Sequence, residues 1–282
     1  MMEVKKPEHS SPQNSLEEEN HIKNMEPAEV HQDSNNESNE LPVDIKANDS
    51  DGEVSEESIQ IRVRAGFIRK VYGILSIQLI ITFGHVFLFQ IPALKSLVML
   101  HQTLAGHLLL ISALAFLTLF LILVCNRNLA RTVPYNYIYL FAITLCESIS
   151  CGIISSVYSF QIVATALALT IITTLVITFY ACTTKTDFSY YRMGMYVFFS
   201  QLFFMGLIAV LFRIEALYTA YIFGMTIMVG IYLVYDTQLI MGKFGVAYSV
   251  DDYIFATLEI YMDIIRLFLL ILRIVAKAQR RN

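Results

Sequence analysis

Tryptophan is absent from the 282 residues, charged side chains make up only 16%, and no two cysteines stand in a CxxC spacing. Soluble globular domains carry roughly a quarter charged residues. A chain that is 56% hydrophobic and this poor in charge is suited to lipid as its solvent. The cysteines, Cys125, Cys146, Cys151 and Cys182, mostly lie inside apolar runs, where a thiol behaves as a small hydrophobe. That pattern excludes a disulfide framework or a zinc site. The first fifty residues hold no apolar run of the roughly seven to fifteen residues that a signal peptide needs, so insertion is expected to rest on the first transmembrane helix.

Phenylalanine and tyrosine are missing from residues 1–58, which carry 16 Asp and Glu against 4 Lys and Arg. Such a segment buries too little apolar surface to offset its ordering entropy, and it is expected to be a disordered acidic tail. The net charge of −4 therefore averages a tail of −12 with a basic remainder of 8 acidic and 16 basic residues. Neither half has the character of a nucleic-acid binder. Residues 59–282 form the expected membrane domain.

Apolar segments long enough to cross a bilayer begin beyond Arg64, since a crossing takes about 20 helical residues. They fall at 70–90, 106–124, 135–157, 161–182, 193–212, 218–241 and 253–274. Short polar breaks with Pro134, Lys185, Asp187, Gly242 and Lys243 separate them. In lipid each backbone group needs an internal partner, and the alternation of barrel strands is missing, so the segments read as helices. The fold class is thus an all-α integral membrane protein, a bundle of seven transmembrane helices. Orientation follows from the basic residues of the short loops. Arg62, Arg64, Arg69, Lys70, Arg127, Arg131, Lys185, Arg192 and Lys243 fall on one side, against Lys95 and Arg213 on the other, which places the N-terminus in the cytoplasm. Seven crossings leave Lys277, Arg280 and Arg281 on the far side, against that rule, so a half-crossing hairpin at the seventh segment is the alternative.

Charges within the spans carry the functional argument, because each costs at least about 2.5 kcal/mol at a helix centre and must face protein or water. Glu147, Asp236, Glu259, Asp263 and Arg266 are of this kind. Glu259, Asp263 and Arg266 stand at i, i+4 and i+7, on one helical face, which puts the seventh helix in the middle of the bundle. Asp236 and Asp263 lie about 10 and about 15 Å from the same end of neighbouring antiparallel helices. Two carboxylates brought together do not readily both ionise, so the pair is expected to be proton-sensitive or to bind a cation transiently. The plain alternative is that these groups are interhelical hydrogen-bond glue.

Four stretches resemble the transmembrane Bax inhibitor motif family, in its Lifeguard branch. They are Phe67-Ile-Arg-Lys-Val-Tyr72, Thr183-Thr-Lys-Thr-Asp-Phe-Ser189, Val234-Tyr-Asp-Thr-Gln-Leu-Ile240 and Asp252-Tyr-Ile-Phe-Ala-Thr-Leu-Glu-Ile-Tyr-Met-Asp-Ile-Ile265. The resemblance implies a Bax inhibitor-like fold with a central seventh helix and a pH-sensitive calcium leak across endoplasmic reticulum or Golgi membranes. It also implies suppression of apoptosis through lowered stored calcium. It assigns the proton sensor and calcium gate to Asp236 and Asp263, and a latch on that pair to Arg131. No cofactor is implied; calcium is the permeant ion, and the partners are membrane lipid and other apoptosis-regulating membrane proteins. The chain departs from the family at Glu259 and Arg266, where relatives usually have Asn. Arg266, one turn beyond Asp263, is expected to grip that carboxylate through two parallel bonds. Two other functions are to be weighed. One is a non-conducting regulator of death receptors or ion channels. The other is an intramembrane aspartyl protease, which Ile260-Tyr-Met-Asp263 argues against because such enzymes carry Gly-x-Gly-Asp there. The chain is therefore not expected to be an enzyme.

Overall fold

The computed structural model of the protein describes residues 49–243 and 248–281. Nine α-helices run through them in chain order: α1 Asp49–Leu88, α2 Pro92–Leu100, α3 Gln102–Cys125, α4 Arg127–Arg131, α5 Tyr135–Ser156, α6 Phe160–Thr183, α7 Arg192–Leu211, α8 Glu215–Met241 and α9 Tyr253–Arg281. No strand occurs among the described residues. Six helices are long and apolar enough to cross a membrane: the Ser58–Leu88 part of α1, α3, α5, α6, α8 and the Phe188–Leu211 segment that contains α7. Each contains one of the first six segments expected from the sequence, apart from the last two residues of the first and the last residue of the third and fifth.

The seventh expected span differs in kind from the other six. α9 has 29 residues, about 43 Å of helix, but its middle carries Glu259, Asp263 and Arg266, so it does not reach the apolar standard of a lipid-facing span. It is continuous from Tyr253 to Arg281, which leaves no turn for the hairpin alternative. Its burial explains its composition. Ile254, Leu258, Tyr261, Ile265, Phe268 and Leu272 line one face of the helix and Ala256, Ile260, Ile264 and Leu267 the opposite side, and all are buried, so that only a narrow stripe with Glu259 and Arg266 is open. The neighbours that enclose it are α1, α5, α6 and α8. The outer helices show the reverse pattern: on α3 just Ala105, Ser112 and Leu123 are buried, and Leu104, Leu108, Ile111, Leu114 and Leu121 face outward. Apolar outside and mixed inside is the arrangement that lipid demands.

Two boundaries depart from the sequence reading. α1 starts at Asp49, so residues 49–58, assigned above to the tail, are helical in the structure. Acidic residues read there as a sign of disorder, yet at a helix N-terminus they are favoured by the backbone dipole. Residues 1–48, the rest of the expected tail, lie outside the described residues. The second departure is the connection from α1 to α3, which holds the extra short helix α2, opened by Pro92 at its first turn.

Several polar groups inside the bundle are paired across helices. Gln78 Nε2 donates to Thr144 Oγ1 at 2.7 Å, and Thr82 shares hydrogen bonds with Ser148 at 3.0 Å and with the Tyr261 hydroxyl at 2.8 Å. This seam joins α1, α5 and α9. Asn136 Nδ2, fully buried, donates to the Tyr253 hydroxyl at 2.7 Å and ties α5 to the start of α9. Such bonds satisfy groups that neither lipid nor water reaches.

Candidate functional site

α8 and α9 pack side by side, and the short connection between them places the late turns of one against the early turns of the other. Gly242 ends α8 with φ +70°, a left-handed position where a side chain would strain the backbone. This turn brings Asp236 to the level of Asp263. Both are more than nine-tenths buried, and their carboxyl groups interact directly, side chain to side chain.

The pair opens onto a cavity of about 550 Å³. Much of its wall is apolar and aromatic, with Tyr196, Phe199, Met228, Tyr232 and Met262, and Arg192 adds a cation to it. Asp263 Oδ1 stands 3.9 Å from Arg266, whose side chain is 55% exposed. Asp263 Oδ2 is buried and receives no donor from the described residues. Two facing carboxyls with one oxygen unsupplied are completed by a shared proton or by a cation. That is the chemistry the arrangement offers.

Glu259 and Arg266 line the same cavity, as the one-face spacing requires. Glu259 accepts a hydrogen bond from the Tyr248 hydroxyl rather than pairing with Arg266. Glu259 and Tyr248 also line a second cavity of about 260 Å³, together with Arg127 and Asp252, so they stand between the aspartate cavity and the α4 end of the bundle. The expected two-bond grip of Arg266 on Asp263 is replaced by a single contact at 3.9 Å. Its i,i+3 spacing lets the long side chain extend past the carboxylate into open space. Glu147 on α5 is half-buried and lies within electrostatic reach of Arg266.

Arg131, the expected latch, is not on the aspartate pair. Its Nε and terminal nitrogen both meet Asp252 Oδ1, at 2.9 and 2.8 Å, because α4 ends beside the start of α9 and about three helical turns separate that level from Asp263. Among the described residues no group of three or more His, Cys, Asp or Glu is placed to hold a metal ion. Calcium takes six to eight oxygen ligands. The pair alone provides too few for a resident calcium site.

Residues counted in the sequence only as topology signals turn out to close helix ends. Arg64 donates to Tyr248 O at 2.8 Å and to Leu239 O at 2.6 Å, and its guanidinium lies 4.7 Å from the Phe67 ring centre. Lys243 donates to Ala181 O at 3.1 Å and to the Cys182 and Thr184 carbonyls, at the end of α6. A cation there meets carbonyls that have no partner within the helix. Tyr248 is silent in the sequence, since a tyrosine in a short loop carries no local signal of the carboxylate it meets 11 residues on.

A family profile described as "Inhibitor of apoptosis-promoting Bax1" matches residues 64–281. The human protein lifeguard 3 is 30% identical over 221 residues, 76% of this chain and 69% of the relative. Mouse protein lifeguard 4 is 30% identical over 226 residues, 79% of this chain and 90% of the relative. Mouse protein lifeguard 3 is 32% identical over 220 residues, with 76% and 70% covered.

Proposed function

Since this chain belongs to the Bax1-inhibitor family, whose matched region contains every helix from late α1 to α9, we propose that it is a pH-sensitive calcium leak channel of intracellular membranes that restrains apoptosis. Membership makes it a membrane protein implicated in apoptosis regulation. The conducting role is our reading of the site.

One observation carries that reading: the facing, buried carboxyls of Asp236 and Asp263 at the head of a 550 Å³ cavity. An acid pair held inside a bilayer is costly, and mere interhelical glue is made more cheaply from hydroxyls and amides, as the Gln78, Thr82, Thr144 and Ser148 seam does. Within this reading Asp236 and Asp263 take a proton or a passing calcium in competition. Glu259, Arg266 and Glu147 tune the field around them, and Arg131 steadies the outer end of α9 through Asp252. α9 is the seventh crossing, the N-terminus is cytoplasmic, and the compartment is the endoplasmic reticulum or Golgi. Membrane lipid and other apoptosis-regulating membrane proteins are the partners, with no cofactor.

The test is calcium flux into liposomes carrying the purified full chain and a trapped calcium dye, measured at several pH values. The reading requires flux above that of empty liposomes, a dependence on pH, and loss of that dependence when Asp236 or Asp263 is replaced by Asn. Absence of flux at every pH would leave a non-conducting regulator of other membrane proteins as the better account.

A further inference from the structure

At the end of the bundle remote from Arg131, the late turns of α9 gather a set of cations that the site above does not use. Arg273, Lys277 and Arg280 stand at i, i+4 and i+7, on one face of the helix. They line a cavity of about 420 Å³ together with Tyr158, Tyr218 and Ile222. Glu215, at the first turn of α8, is the one acid in its wall. Lys277 uses that acid: its Nζ lies 3.1 Å from Glu215 Oε1 and also meets the Thr219 hydroxyl. Arg273 is half-buried, and neither it nor Arg280 has an ion-pair or hydrogen-bond partner among the described residues. The cavity thus holds two guanidinium groups with nothing opposite them.

The position of the cavity narrows its occupant. Arg273 lies about 20 residues beyond Tyr253, a rise of about 30 Å, which is one hydrocarbon thickness. α5 ends and α6 begins beside Tyr158, and α8 begins at Glu215, so three helix termini meet at this level. The site therefore stands where bilayer gives way to water. Adjoining it, a narrower slot of about 120 Å³ is lined by Thr219, Phe223, Ile274 and Ala278, and Ile222, Arg273 and Lys277 belong to both. Phe223, about 12 Å along α8 from Glu215, is 53% exposed. A basic chamber beside a mainly apolar slot matches a molecule with an anionic head and a hydrocarbon tail.

We propose that this end of the bundle binds one anionic phospholipid, with its phosphate between Arg273, Lys277 and Arg280 and an acyl chain along Ile222, Phe223 and Ile274. Guanidinium groups recognise phosphate oxygens in pairs, with short charge-assisted bonds, and basic pockets between membrane helices hold anionic headgroups in this manner. The Tyr158 and Tyr218 hydroxyls are further polar partners at the depth where tyrosine concentrates. The bound headgroup neutralises the C-terminal cations that the loop charge rule leaves unexplained. A soluble acidic peptide fits less well, since it has nothing to place in the slot.

The full chain in a neutral detergent is titrated with phosphatidylglycerol, with phosphatidylcholine and with inorganic phosphate, and thermal unfolding is followed. Ligand that binds the folded protein raises the unfolding temperature in proportion to its affinity. The expected result is stabilisation by phosphatidylglycerol and none by phosphatidylcholine or phosphate. Arg280→Gln, at an exposed position, and Arg273→Lys, which keeps the charge but not the fork, are each expected to weaken phosphatidylglycerol roughly tenfold or more, the loss of a charge-assisted hydrogen bond. Lys185→Gln, a cation outside this cavity, serves as the control and leaves binding unchanged. Equal response to phosphatidylcholine, equal weakening by Lys185→Gln, or no effect of either arginine substitution overturns the proposal. Stabilisation by inorganic phosphate as strong as by phosphatidylglycerol replaces the lipid with a free anion. None of these readings depends on calcium conduction, so the site stands or falls apart from the leak.

Discussion

Asp236 and Asp263 were legible from the sequence because a carboxylate inside an apolar run has no inexpensive explanation. Asparagine keeps the shape of a protonated aspartate and removes its titration. Asp263→Asn is therefore expected to hold the protein, at every pH, in the state the native chain adopts in acid. Calcium flux in liposomes checks this, and an Asp263→Asn profile that still follows pH like the native one rejects it. Arg266 was legible as a charge but not in its geometry. Its contact with Asp263 is long and half-exposed, so its contribution to stability is small. Arg266 is nevertheless the cation in contact with Asp263, and Arg266→Asn is expected to move the midpoint of the flux profile. An unmoved midpoint, with Asp263→Asn still effective, makes Arg266 a structural residue alone.

Helices were legible because lipid permits almost nothing else, but what joins them was not. Arg64 illustrates the gap. In the sequence it is one more positive charge before the first span; in the structure it fastens α1 to the end of α8 and to Tyr248 through two backbone carbonyls. Arg64→Gln loses charge-assisted bonds of about 1.5 to 3 kcal/mol each before compensation by water. The expected outcome is faster amide exchange at the end of α8 and the start of α9, with the other helices unchanged. Close contacts through glycine belong to the same scale. A Cβ on Gly206 of α7 would stand 2.6 Å from the Tyr221 ring of α8, and one on Gly224 of α8 would stand 2.7 Å from Leu202 of α7. Gly206→Val is expected to separate α7 from α8 at a cost of about 1 to 3 kcal/mol, read as a lower unfolding temperature in detergent.

At the scale of the whole molecule, the family match begins at residue 64 and the described helices at Asp49, both after most of the acidic segment. Deletion of residues 2–48 is expected to leave a monodisperse particle in detergent with unchanged helical signal, and aggregation of that variant on size exclusion tells against it. Composition and hydropathy determined by themselves that this is an all-α membrane protein, where its six candidate crossings fall, and that the last long helix lies inside. The physical reason is that the solvent acts on every residue alone: apolar runs of about 20 residues enter lipid, and a helix with carboxylates in its middle must be enclosed. Partnership is different in kind, because it depends on which residues far apart in the chain arrive at one place. Only the tertiary structure decided that Arg131 meets Asp252, that Tyr248 meets Glu259, that Arg64 and Lys243 close helix ends, and that Arg273 and Arg280 face a cavity with no acid to spare. A charge in a sequence states a need; packing alone states what answers it.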